Sequence, residues 1–237
     1  AAAYLAAGSL TMQNSCITGN SSLIDVVLLS GTLDAVNNWW GSLDGPSGAA
    51  SGSGDAISAG VYADPFLTIP PNGCSVTVIG IPPAPLPIGG QPPVELTTVE
   101  LPSAEPLILE IEESATTTPT STPTATPGAV VIVPDGDTAA FIQAINTANS
   151  QCLPSKTLIQ LFPNGVYEFN QGNFSGTGSN ALPTINCGIM IDARGATIRR
   201  STAAGTPDFR FFRVSSSGDL TLLNATVENG RASLAGG

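Results

Sequence analysis

A short motif that occurs near both ends of the chain constrains the fold more than any other feature. Residues 9–20 read SLTMQNSCITGN, residues 219–230 read DLTLLNATVENG, and a looser copy, TLDAVNNWW, spans residues 32–40. Each copy alternates apolar and polar residues and then reaches an asparagine. Short strands repeated every roughly twenty residues are typical of a solenoid, in which a repeat buries its apolar side by stacking on its neighbours.

The asparagine of each copy is predicted to mark a turn. Asparagine tolerates left-handed backbone geometry, and its amide can hydrogen-bond to backbone groups of neighbouring repeats. We therefore predict that Asn14, Asn37 and Asn224 stack as a buried ladder.

The two best copies of the motif match each other across the chain ends. If the last residue were followed by the first, the second copy would continue directly into the first copy as the next coil. Strand edges left exposed by an interrupted solenoid are hazardous, so we expect the core to be completed across this junction. The expected junction residues are Ala1, Leu10, Met12, Leu220, Leu222 and Gly237. The partner is either another copy, joined head to tail in a filament or tandem array, or the same chain returning on itself. The first alternative is the expectation.

Composition divides the chain into three parts. Residues 1–79 are predicted to be the last coils and end cap of a β-helix, with short strands near Val61 and at Val76–Ile79 and a loop at Gly52–Asp55. Residues 80–128 are rich in Pro, Thr and Glu and predict an extended linker, because proline removes backbone donors and fixes φ. The patch Leu107–Glu112 is apolar enough to dock as a strand.

Residues 129–237 are predicted to be the N-terminal cap and first coils of a β-helix. A strand at Val130–Val133 precedes a short helix near residues 138–148, which Asp137 or Thr138 can cap and whose apolar face includes Phe141 and Ile145. The later strands are predicted at Thr157–Phe162, Gly165–Phe169, Ile189–Ile191, Ala196–Arg199, Phe209–Val214 and Leu220–Val227.

Charge and composition exclude several function classes. The chain has no histidine, which removes the commonest general base and histidine-ligated zinc, and we expect no cofactor and no metal site. The net charge is −11, and residues 1–155 hold acidic residues but no Lys or Arg, so nucleic acid is not expected as a partner. No apolar run is long enough to predict membrane insertion.

The four cysteines predict disulfides rather than a metal site, because none are paired as Cys-x-x-Cys. Cys152 and Cys187 flank the first coil after the cap helix, and a bond there would tie the cap to the coil. Cys16 and Cys74 are then paired by elimination, and other pairings stay open.

Candidate glycosylation sites lie in loops and in the linker. Sequons occur at Asn20, Asn173 and Asn224. Asn173 is preferred because it lies in a Gly-rich loop, whereas Asn224 is expected to be buried in the ladder. The Thr/Pro tract is typical either of an O-glycosylated stalk or of a plain linker. Its candidate acceptors are Thr116, Thr117, Thr118, Thr120, Thr122, Thr124 and Thr126.

The motif residues resemble those of bacterial surface proteins built from right-handed parallel β-helix repeats. Residues 37–46, NNWWGSLDGP, are similar to the NWWG…GP motif that often follows the last coils in that family. Residues 196–230 look like early coils, and the Thr/Pro tract resembles the stalk linkers of secreted bacterial proteins. The resemblance covers about residues 1–70 and 129–237. It implies an all-β, right-handed parallel β-helix and an extracellular or cell-surface location.

These observations favour a structural subunit or tandem repeat of an extracellular filament or stalk, with other copies as its partner and no enzymatic activity. The alternative is an adhesive or carbohydrate-binding module that recognises surface glycans through exposed aromatics such as Trp39 and Tyr62. A polysaccharide lyase or hydrolase is a remote alternative. The pair Asp192 and Arg194 is the nearest approach to its clustered charges, and we interpret that pair as a local turn.

Overall fold

The computed structural model describes residues 2–20, 24–71, 74, 129–172 and 179–231. One compact unit comprises Ala1–Thr77 and Ala125–Gly237, and a second unit, Val78–Thr124, lies outside the described residues. The first unit is mostly β-structure with one helix. Its strands are β1 Ala3–Leu5, β2 Ser9–Gln13, β3 Cys16–Thr18, β4 Val26–Leu28, β5 Thr32–Asp34, β6 Pro46–Gly48, β7 Gly54–Ile57, β8 Val130–Val133, β9 Thr157–Leu161, β10 Val166–Phe169, β11 Gly188–Asp192, β12 Thr197–Arg200, β13 Phe212–Val214, β14 Asp219–Leu223 and β15 Thr226–Glu228; the helix, α1, is Thr138–Gln151.

The strands form three sheets in which every pair is parallel. The strand orders are β13-β1-β4-β7-β6, β10-β12-β15-β3 and β5-β2-β14-β11-β9-β8. From β11 to β15, and again from β1 to β5, successive strands visit the three sheets in the same rotation. The rotation continues from β15 to β1, so the start of the chain is stacked on its end.

Alternation along the strands places the core between the sheets. In β9 and β2 every second side chain is buried, as expected for strands with one face inward. The largest fully buried side chains include Trp40, Tyr167 and Phe211. The rings of Phe209 and Phe169 both meet Phe211 edge-on, with centroids 6.1 and 6.2 Å apart. Burial of these apolar surfaces is the main stabilising term of the fold.

Helix α1 packs against strands β8 to β11. Asp137 is the N-cap of the helix, and its side chain accepts a hydrogen bond from the Ala140 amide at 2.8 Å. The helix buries Phe141 and Ile145, and the Phe141 ring lies edge-on to Tyr167 at 5.7 Å. It ends at Gln151, three residues beyond the predicted end, with Cys152 in left-handed geometry at φ 40°.

The structure corrects several sequence-based boundaries. The stretch Gly52–Asp55, predicted as a loop, runs into β7, and β6 was not predicted. No strand forms at Val61, where the described chain makes only an isolated bridge between Tyr62 and Asp34. The strand predicted at Leu220–Val227 is two strands, because Asn224 interrupts it at φ 54°. The predicted strand at Val76–Ile79 and the patch Leu107–Glu112 lie outside the described residues.

Candidate functional site: the strand junction

The residues expected to complete the solenoid lie at one continuous contact, here called the junction, in which β1, β2 and β3 pair with β13, β14 and β15. Leu10 is the register partner of Leu220, and Met12 is the partner of Leu222. All four side chains are fully or almost fully buried. The junction is made within one chain, which is the second of the two alternatives that the sequence left open. Ala1 and Gly237 lie outside the described residues.

On the outer face of the junction, hydrogen bonds between polar side chains link its two sides. Asp219 accepts hydrogen bonds from the Ser9 hydroxyl at 2.6 Å and from the Lys156 ammonium at 2.8 Å. Lys156 also donates to the Thr221 hydroxyl at 2.6 Å. The lysine reaches these partners across Gly188, where an added Cβ would lie 3.2 Å from the Lys156 Cγ. Three segments that are distant in sequence are thus joined at one carboxylate.

At the other end of the junction, a buried asparagine links its two sides. The Asn20 side chain is 6% exposed and donates to the Val227 carbonyl at 3.0 Å, while its oxygen accepts from the Gly230 amide at 2.8 Å. Both contacts cross the junction, from the residues that follow β3 to β15 and the residues that follow it. The same side-chain nitrogen donates to Asp55 Oδ2 at 2.7 Å, so Asn20 also links the junction to β7.

A contact between a cation and an aromatic ring lies beside the strand pair β1 and β13. The Arg210 guanidinium lies 4.4 Å from the centroid of the Tyr4 ring, within the range of a cation–π interaction. Arg210 is 4% exposed, and burial lowers its pKa from the ordinary value. Tyr4 is also the register partner of Arg213 on β13.

The predicted asparagine turn exists, but it is not buried. Asn14, Asn37 and Asn224 have φ values of 50°, 57° and 54°, and the Asn14 amide donates to the Asn37 carbonyl at 3.0 Å. Their side chains are exposed, so the prediction of a buried ladder is wrong. Left-handed geometry at the turn directs these side chains outward, and the following residue faces the interior.

The buried asparagine that does satisfy backbone groups is Asn38, a role that was not predicted. Its side chain donates to the carbonyls of Met12 and Ala35, both at 2.7 Å, and accepts from the Ser15 amide at 3.0 Å. At the turn between β2 and β3 Ser15 takes the equivalent place, and its hydroxyl accepts from the Ala225 amide at 3.1 Å. The doubled asparagine at residues 37 and 38 was the available signal.

The two disulfides are Cys16–Cys74 and Cys152–Cys187, the pairs expected from the sequence. Together they use all four cysteines. The first lies within residues 1–77 and the second within residues 125–237, so no disulfide crosses the junction. Each side of the junction is cross-linked on its own, and the two sides are held by strand pairing and packing.

The remaining candidate residues are dispersed. Asp192 accepts from the Arg194 amide at 3.2 Å and from the Asn224 side chain at 3.0 Å, which makes it a turn residue. Of the sequons, Asn20 is buried and Asn224 is exposed, contrary to the expected burial of Asn224. Asn173 and the threonines of the Thr/Pro tract lie outside the described residues.

The two aromatics proposed for glycan binding differ in exposure. Trp39 is 3% exposed and cannot present its ring to a ligand, whereas Tyr62 is 67% exposed. Val61 and Ala63, which flank Tyr62, line a groove of about 650 Å³ together with Asp44 and Asp64. Hydrogen bonds from Ser42 and Ser53 lower the pKa of Asp44 to about 2.

Among the described residues no group of three or more Cys, Asp or Glu side chains is arranged to hold a metal ion. Nor do the described residues include a helix with the length and apolar character needed to cross a membrane. The chain matches no protein-family model, no curated protein and no solved structure.

Proposed function

We propose that this protein is a structural unit of an extracellular filament or stalk, a right-handed parallel β-helix whose copies join head to tail through the junction. The rotation of successive strands through three parallel sheets supports the β-helix. The two disulfides favour an oxidising compartment outside the cytoplasm.

The observation that carries the proposal is the complementarity of the two junction surfaces. The in-register pairing of Leu10 with Leu220 and of Met12 with Leu222 supports the proposal, because the strand β2 of one copy could pair in the same way with the strand β14 of another. Since no disulfide crosses the junction, the same surfaces on two copies, or on successive repeats of a longer polypeptide, can form the same contacts. A contact of this head-to-tail kind propagates unless it closes.

Cysteine pairs test whether copies join. Gln13 and Leu223 are register partners on the outer face, and both are partly exposed. The single variants Gln13→Cys and Leu223→Cys are unfolded together in urea without reductant and then refolded as a mixture. We expect disulfide-linked pairs of the two variants on a non-reducing gel, and long fibres with a regular subunit repeat by electron microscopy of the unmodified protein.

The matched control replaces Leu223→Cys by Gln160→Cys. Gln160 lies in the same outward-facing row as Gln13 but three strands away. If the first mixture forms no more linked dimer than this control, while the double variant Gln13→Cys/Leu223→Cys is linked within one chain, the protein closes on itself and the filament proposal is wrong. Monodisperse monomers by electron microscopy would lead to the same conclusion.

A second candidate function is carbohydrate binding at the groove beside Tyr62. An exposed aromatic ring next to a concave surface with a few carboxylates provides both an apolar face and hydrogen-bond acceptors for a sugar. Binding of the monomer to a glycan array, lost in Tyr62→Ala and retained in Leu43→Ala, would favour this function. Leu43 is a suitable control because it is similarly exposed, at 69%.

A further inference from the structure

The groove of about 650 Å³ is lined by the loop between β6 and β7 and by the segment that follows β7. Its floor is apolar, because Ile57 is 4% exposed, Ala63 is 7% exposed, and the Phe66 ring packs against the same core. Ser51 and Ser58 add hydroxyl groups to its walls. A volume of this size is in the usual range for a site that binds a small molecule or a short oligomer.

Phe66 is the aromatic residue that lines the groove itself. At Gly45 an added Cβ would lie 2.6 Å from the Phe66 ring, so the ring packs directly on the backbone beside Asp44. Phe66 is only partly buried. It therefore places an apolar ring face next to a carboxylate, an arrangement that suits a ligand with both apolar faces and polar groups.

The titratable side chains that line the groove are both acidic. Asp44 and Asp64 are exposed, and no Lys or Arg is among the lining residues that the structure describes. Residues 1–155 contain no basic side chain at all. The groove thus has a negative potential, which repels uronates, sulfated sugars and phosphates and attracts an ammonium group.

Neighbouring hydroxyl groups orient the carboxylate of Asp44. The Ser53 hydroxyl lies 2.8 and 2.6 Å from its two oxygens, and the Ser53 amide donates to Oδ1 at 3.1 Å. The Ser42 hydroxyl also donates to Oδ1. These donors are neutral, so they favour the ionised carboxylate without cancelling its charge. An oriented, ionised carboxylate is a preformed acceptor for a charged donor.

We propose that this groove binds an oligosaccharide with free amino groups, such as a glucosamine oligomer, whose ammonium groups pair with Asp44 and Asp64. The inference rests on the second candidate function, carbohydrate binding, and names its class of ligand. Lysine-rich peptides also carry ammonium groups. The hydroxyls of Ser51 and Ser58 and the ring of Phe66 favour a sugar, because its own hydroxyls and apolar ring faces match them.

Isothermal titration calorimetry of the intact chain at pH 6 compares tetramers of glucosamine, N-acetylglucosamine and galacturonate. Acetylation turns the ammonium group into a neutral amide, and galacturonate reverses the sign of the charge. We expect the glucosamine tetramer to bind about fivefold more tightly than the N-acetylglucosamine tetramer, since each exposed ion pair is weak. The galacturonate tetramer should not bind. Added salt should reduce the preference for glucosamine.

The variants Asp44→Asn and Asp64→Asn each remove one charge and keep the size of the side chain. Each should weaken binding of the glucosamine tetramer about twofold and leave binding of the N-acetylglucosamine tetramer unchanged. The double variant should bind both tetramers equally. Asp208→Asn is the matched control, because Asp208 has a 56% exposed side chain but does not line the groove, and both affinities should stay as in the wild type.

Equal wild-type affinities for the glucosamine and N-acetylglucosamine tetramers would overturn this inference and leave carbohydrate binding in place. The same holds if the double variant keeps the preference, since the ammonium groups would then bind elsewhere. If none of the three tetramers binds, carbohydrate binding at the groove is wrong as well. Tetralysine that binds as tightly as the glucosamine tetramer would show that the groove recognises ammonium groups without recognising a sugar.

Discussion

At the scale of single residues, Gly8 shows how closely the two sides of the junction approach. Its φ is +84°, and an added Cβ would lie 2.3 Å from the Gly218 carbonyl oxygen and 2.4 Å from that of Ser215. These backbone atoms belong to the opposite side of the junction and cannot move independently of β14. Only glycine fits here without displacing a strand.

We predict that Gly8→Ala lowers the free energy of unfolding by about 3 kcal/mol, because it combines left-handed strain with overlap of backbone atoms. Gly205→Ala is the matched control. Gly205 has φ +87° but open space around it, so its substitution should cost only about 1 kcal/mol of conformational strain. Urea denaturation followed by circular dichroism measures both, and equal losses would contradict the close approach at Gly8.

The neighbouring residues Asn37 and Asn38 provide a second comparison at this scale. Asn38→Ala leaves the Ser15 amide and the Met12 carbonyl without their buried partner, and we expect a loss of about 3 kcal/mol. Asn37→Ala removes an exposed side chain at a left-handed turn and should cost about 1 kcal/mol. The opposite order in chemical denaturation would mean that Asn37 is the structural residue.

The sequence predicted where the turns lie but not which side chains face inward. Asparagine at residues 14, 37 and 224 indicated the left-handed positions, because few other residues tolerate them. Burial depends on how the backbone leaves the turn, and this is set by the strands that pair with those on either side of it. No sequence signal marked Asp55, which lies in a Gly/Ser-rich segment and accepts a hydrogen bond from the Asn20 side chain.

At the scale of elements, interactions between residues close in sequence fix the start of helix α1. We predict that Asp137→Ala destabilises the protein by about 1 kcal/mol, because it removes the acceptor of the Ala140 amide. Asn146→Ala, on the exposed side of the same helix, should be neutral or slightly stabilising, since alanine favours helix. Thermal unfolding compares the two, and a neutral Asp137→Ala would show that packing of Phe141 alone fixes the start of the helix.

Strands could be predicted where apolar and polar residues alternate, and could not be predicted where the sequence is rich in glycine. In β9 and β11 apolar side chains at alternate positions mark the buried face, and the predicted bounds agree to within one residue. Strands β6 and β7, PSG and GDAI, carry almost no such signal. They form because Asp55 donates a backbone hydrogen bond to Trp40 and Ala49 donates one to Ile57, contacts between segments that no local pattern pairs.

At the scale of the whole molecule, the chain consists of two cross-linked parts that meet at the junction. Residues 1–155 contain six glutamates, all in the Pro-rich linker: Glu95, Glu100, Glu105, Glu110, Glu112 and Glu113. The other two, Glu168 and Glu228, belong to the hydrogen-bonded strands β10 and β15. A glutamate-specific protease therefore offers a way to cut between the two parts.

We predict that native digestion with such a protease divides the chain without separating its parts. Because β1, β2 and β3 remain paired with β13, β14 and β15 over a buried apolar core, the fragments should co-elute in size-exclusion chromatography. In urea without reductant they should separate into two species, each retaining its own disulfide. Digestion of Gly8→Ala supplies the contrast, since a junction weakened by steric overlap should release its fragments at lower urea. Separation of the wild-type fragments without denaturant would mean that the linker, and not the strand pairing, holds the junction closed, and it would remove the physical basis for joining copies through these strands.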